Sequence, residues 1–122
     1  MKTEEDREAI VGAAVTGDPQ FGYGSDAAPH RAELKERGEG KKVAFGCFNL
    51  FAGIPKVIKL FEDHNAFDML PDFTSGNFCR WNGIPEPTEM VTYVREPSTV
   101  PQDFHGIINW CAGETLQWQL EN

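Results

Sequence analysis

At 122 residues, with 40% apolar and 11% aromatic content, the chain is long enough for one packed core and too apolar for a disordered tail. Its net charge is −8, and residues 73–122 hold six acids against only Arg80 and Arg95. That balance argues against gripping a phosphate backbone and fits steering toward a basic protein.

No apolar run reaches the roughly 20 residues that span a bilayer. Met1-Lys2-Thr3-Glu4-Glu5-Asp6 is acidic where a signal peptide is basic and then apolar. Cys47, Cys79 and Cys111 form no CxxC pair and read as reduced thiols. A cytoplasmic protein of one α+β domain, residues 1–122, is expected.

Thr3 to Val15 predicts a helix. Thr3 caps it, Asp6 completes a capping box, and Glu4, Glu5 and Asp6 suit the positive end of the dipole. Ile10, Ala13 and Ala14 make a narrow apolar stripe, so the helix belongs on the outside. Asp18 to Ala28 is a loop in which Gly22 and Gly24 bracket Tyr23. Pro29 to Arg37 predicts a short charged helix, with Asp26 available as a cap and a Glu33–Arg37 pair on its surface. Lys42 to Phe51 is the most apolar run and predicts a buried strand, with Gly46 marking a bulge or a close backbone approach.

Pro55 to His64 is the clearest helix. Pro55 suits its first turn, Val57, Ile58 and Phe61 form the inward stripe, and Asn65 ends it. Ala66 to Pro71 is an apolar link and Thr74 to Asn77 a turn. Phe78 to Asn82 and Glu89 to Arg95 predict strands. The helix and the Ala66-Phe67-Asp68 after it resemble the helix-into-strand passage of cone-shaped NTF2-like domains. Four predicted strands follow with no long helix between them, so no residue is carried over.

Leu116, Trp118 and Leu120 alternate with Thr115, Gln117, Gln119 and Glu121, the period of a half-buried strand. A three-residue loop, Cys111-Ala112-Gly113, would put Gly113 in the left-handed position and align Ile108 and Trp110 with those side chains in a β-hairpin. The predicted fold is therefore α+β: two N-terminal helices, then a central helix packed on an antiparallel sheet of about four to five strands that ends in a C-terminal β-hairpin.

Chemistry-bearing patterns are sparse. Cys47, Cys79, Cys111, His64 and His105 are too dispersed for a zinc site, so no metal and no cofactor are expected. Phe21 and Tyr23 in the glycine-rich loop, with Arg80 and Trp81 beside a Pro-rich turn, are the residue types that anchor interfaces. They predict a small acidic protein that docks on another protein, without binding nucleic acid or membrane directly. Such proteins include toxin-immunity proteins and phage anti-defence inhibitors. The chain thus leans away from an enzyme. The alternative is a small enzyme or ligand-binding domain, with Asp63, His64 and Tyr93 lining a pocket between the sheet and the central helix.

Overall fold

Thr3 sets the first element. In the computed structural model, which describes residues 3–36, 39–40 and 42–121, its hydroxyl accepts from the Asp6 N–H at 3.1 Å and its own N–H donates to the Asp6 carboxylate at 3.0 Å. This capping box opens α1 (Glu4–Ala14), whose side chains other than Ala14 stay at least partly in solvent, as the weak stripe predicts. The second predicted helix shrinks to one turn, α2 (Ala32–Lys35), which Arg31 precedes without a side-chain cap. Arg37 lies outside the described residues.

The central helix is α3 (Gly53–Asp63). Ile58 and Phe61 are buried as its stripe requires, and Asn65 takes the left-handed conformation that stops it. The Ala66 N–H then returns to the Phe61 carbonyl at 2.9 Å. From Phe67 the chain stays helical through a 3-10 turn (Phe67–Met69), a π turn (Asp72–Gly76) and α4 (Asn77–Asn82), ended by left-handed Gly83. This corrects the predicted strand at Phe78–Asn82 and the turn at Thr74–Asn77.

Strands are short and paired over long range. They are β1 (Tyr93–Val94), β2 (Ser98–Thr99), β3 (Asp103–Phe104), β4 (Ile107–Ile108), β5 (Thr115–Leu116) and β6 (Gln119–Leu120). β1 pairs with β6, β2 with β5 and β3 with β4, each antiparallel. Mixed helix and antiparallel strand is thus the right class, but the arrangement differs in two ways.

First, Lys42–Phe51 is not a buried strand. It carries only the parallel bridges Ala27↔Cys47 and Phe48↔Asn109. Second, the two arms of the expected C-terminal hairpin do not pair with each other. Among the described residues, a local hairpin joins β3 to β4 through His105-Gly106, with φ of 54° and 80°, the signs that a type I′ turn demands at both positions. Leu116 is buried, whereas Ile108, Trp110 and Leu120 are exposed, so the shared apolar face does not form.

The chain divides into two compact units, residues 1–24 with 58–91 and residues 25–57 with 92–122. In the first, the Phe61 and Phe73 rings meet at 5.0 Å. In the second, Ala52, Val100 and Leu116 form a small core flanked by Phe51 and Cys111. Phe61 therefore packs on a helical neighbour rather than on a sheet. Among the described residues no helix is long and apolar enough to cross a membrane.

Candidate functional site

In the second unit, Ser25-Asp26-Ala27-Ala28-Pro29-His30 runs beside the segment Gly46–Asn49. The Ala28 N–H donates to the Cys47 carbonyl at 2.9 Å, and Asn49 Nδ2 donates to the Ser25 carbonyl at 2.8 Å. On the other side of that segment, the Trp110 N–H donates to the Phe48 carbonyl at 2.8 Å, and the Ala32 N–H reaches the Gly106 carbonyl at 3.1 Å. Backbone lacing thus fixes Asp26, exposed, and His30, half-buried, on one short loop.

Asp26 has φ 44°, in the left-handed region that aspartate, unlike most residues with a side chain, adopts as a single residue. His105 has a comparable φ, but its hairpin turn accounts for it. Asp26 has no helix to cap, since α2 begins at Ala32. Its conformation instead presents a carboxylate four residues from an imidazole. Sequence reasoning passed over both groups by assigning Asp26 to a cap. Pro29 held the usable signal, because it delays the helix and leaves Asp26 unemployed.

A second polar group lies at the N-terminal end of α3. Lys56 Nζ and Glu114 Oε1 are 2.5 Å apart, the Cys111 thiol joins them, and the ammonium lies 5.5 Å from the centre of the Trp110 ring. The hydrogen bond from Lys56 holds the Glu114 carboxyl below its usual range, with the Cys111 thiol adding to it. Burial raises the pKa of the Cys111 thiol, and its hydrogen bond to Glu114 raises it further.

A carboxyl with a lowered folded pKa contributes stability above its unfolded value and loses it as pH falls through the folded one. Glu114→Gln is therefore expected to flatten the decline in stability on acidification below the ordinary carboxylate range, measured as denaturation midpoints across pH. An unchanged acid limb would remove the pair from the account.

The first unit gathers the predicted contact residues. Trp81 Nε1 donates to the Pro19 carbonyl and Asn77 Nδ2 to the Phe21 carbonyl, each at 2.7 Å. The Tyr23 N–H reaches the Phe73 carbonyl at 2.8 Å. The Trp81 ring presses so closely on Gly22 that a Cβ there would lie 2.8 Å from it. Arg80 is taken up by Asp72 at 2.7 Å, Glu86 at 2.9 Å and the Asn77 side chain at 2.6 Å. Phe21, Tyr23, Arg80 and Trp81 thus lie along one loop–helix contact, with Arg80 engaged internally.

Asp63, His64 and Tyr93 fall in different units. Asp63 pairs with Lys59, and His64 Nδ1 meets the Leu60 carbonyl at 2.8 Å, both in the first unit. Tyr93 belongs to the second. A groove of about 530 Å³ in the second unit is lined by Val94, Arg95, Glu96, Gln119, Leu120 and Glu121, and by none of those three. Cys47 is exposed, Cys79 buried and Cys111 half-buried, all as free thiols.

No protein-family model matches the chain. It is 36% identical to a dihydroorotase of Marinobacter nauticus over 124 residues, which takes in 98% of this chain and 35% of the relative. A dihydroorotase of Pseudomonas fluorescens is 38% identical over the same shares. Among solved structures, dihydroorotase from Saccharomyces cerevisiae in complex with 5-fluoroorotic acid superposes with a TM-score of 0.84 at 31% identity, again over 98% and 35%. The Campylobacter jejuni dihydroorotase gives 0.82 at 27%, over 99% and 35%.

The chain therefore has a dihydroorotase-like fold and spans about a third of the length of these relatives. These findings overturn the inhibitor expectation: the whole-chain likeness is to enzymes, not to toxin-immunity or anti-defence proteins. They also run against the lean away from an enzyme.

Proposed function

We propose that this chain serves a dihydroorotase-type reaction, with the Asp26–His30 loop supplying acid–base groups. The likeness to dihydroorotases over 98% of the chain carries this reading. Opening the dihydroorotate ring is amide hydrolysis: water adds to a ring carbonyl, the C–N bond breaks and the nitrogen takes a proton. A positioned carboxylate can accept the proton that the attacking water loses, an effect worth roughly 10²–10⁴-fold in rate. Asp26 is the carboxylate whose backbone is held in a left-handed conformation outside any turn or cap, and His30 is the next titratable group on its loop.

Because the chain spans only 35% of its relatives, the test supplies the rest. This chain replaces the aligned third of the Pseudomonas fluorescens dihydroorotase, and ring opening is monitored by chromatography. Turnover is expected in the chimera, and Asp26→Asn is expected to lower kcat by roughly 10²-fold or more. A folded chimera without turnover overturns the proposal, and an unchanged kcat in Asp26→Asn removes Asp26 from it.

A further inference from the structure

The loop that carries Asp26 is tied to the segment Gly46–Asn49 on both sides of that residue. After Asp26, the Ala28 N–H donates to the Cys47 carbonyl at 2.9 Å, and Ala27 forms a parallel bridge with Cys47. Before Asp26, Asn49 Nδ2 donates to the Ser25 carbonyl at 2.8 Å. The later tie is made by backbone alone, whereas the earlier one depends on the side chain of Asn49.

The Ser25 carbonyl belongs to the planar peptide unit that also holds the Asp26 N–H. Gripping that oxygen fixes the plane about which Asp26 φ is set, and the tie at Ala28 fixes the far side. Asp26 is exposed and stands between the two at φ 44°. Aspartate enters the left-handed region at a conformational cost, so a loop released at Ser25 would spread into the commoner regions.

Asn49 is itself firmly anchored. Its carbonyl accepts from the Ala52 N–H at 3.2 Å and from the Gly53 N–H at 2.7 Å, at the head of α3. Ala52 in turn is fully buried in the core with Val100 and Leu116. The side chain carries a cost for the bond it gives, because Asn49 Oδ1 is buried without a hydrogen-bond donor. A leucine of similar shape would leave no orphaned acceptor, and the carbonyl of exposed Ser25 would turn to water. Stability alone thus gives little reason for an asparagine here.

We infer that Asn49 is a positioning residue for ring opening: through the Ser25 carbonyl it sets the backbone of Asp26 and so the direction of its carboxylate. The chemistry in this statement rests on the dihydroorotase reading, while the hold of Asn49 on the loop is a property of the chain alone.

The test uses Asn49→Leu, together with Asn49→Asp, which keeps the shape and turns an acceptor toward the Ser25 carbonyl. In the chain itself, the NMR coupling between the Asp26 N–H and its Hα reports φ. In the Pseudomonas fluorescens chimera, kcat and KM are measured separately. Both variants are expected to shift the coupling and to lower kcat by about tenfold or more with KM within about twofold, as when a reacting group is misplaced. Asn49→Leu is also expected to keep the urea midpoint of the chain, a combination that mere support of the fold would not give. An unshifted coupling overturns the inference, and so does an unchanged kcat beside a shifted coupling. A urea midpoint that falls together with kcat in Asn49→Leu overturns it too. A parent chimera that folds without turnover overturns the dihydroorotase reading instead, and the coupling then decides the hold of Asn49 on Asp26.

Discussion

Phe61→Ala is expected to lower the free energy of unfolding by about 3–5 kcal/mol, the range for truncating a buried aromatic side chain. Phe61 is fully buried, and its ring meets Phe73 at 5.0 Å. Alanine there removes apolar burial and leaves a void under the π turn, which the helical frame cannot collapse to fill. Domains of this size hold about 5–15 kcal/mol in all, so the loss is a large share. Urea denaturation of the chain measures it. Phe45→Ala is the contrast: at 87% exposed, it is expected to stay within about 0.5 kcal/mol of the parent. Equal effects at the two positions would mean that Phe61 does not anchor the core of its unit.

Gly46→Ala is expected to cost about 2–4 kcal/mol, from two terms that add. Gly46 has φ 108°, where an L side chain is strained, and a Cβ built there would stand 2.3 Å from the Ala28 Cβ. The neighbour is packed against the backbone and has no flexible end to swing away. Gly40→Ala separates the terms, because Gly40 also has positive φ, 76°, but nothing within 4 Å. It should show the conformational cost alone, about 1–2 kcal/mol. In the chimera, Gly46→Ala should also depress turnover, since it displaces the loop that holds Asp26. Matching losses for the two glycines would refute the close approach.

Elements fixed by short-range chemistry were legible in the residues. Thr3 and Asp6 announce α1, and Ile58, Phe61 and Asn65 announce the face and end of α3. Gly46 reads as a bulge or a close approach, and the Ala28 contact is the second of these. Partners far along the chain were not legible. Leu116, Trp118 and Leu120 alternate as a strand should, but alternation does not say that Thr115–Leu116 pairs with Ser98–Thr99 while Gln119–Leu120 pairs with Tyr93–Val94. The ribbon divides between two partners, and its three apolar residues meet three different surroundings.

Phe78 to Asn82 misled for a related reason. Its aromatic residues favour strand, but the helical stretch from Phe67 leads straight into it, and Arg80 reaches back to Asp72 and Asn77. The candidate site was hidden because an aspartate before a charged run serves equally well as a cap or as a reagent. The start of α2 at Ala32, well past Asp26, separates the two.

The two units are interleaved along the chain, and that orders events on the ribosome. Everything in the first unit has been synthesised once Val91 is added. The second must hold residues 25–57 in waiting until the segment beginning at Thr92 arrives. During synthesis the Asp26 loop and the apolar residues Phe45 and Leu50 thus wait for the strands that follow Thr92, which makes this stretch one for a chaperone to shield.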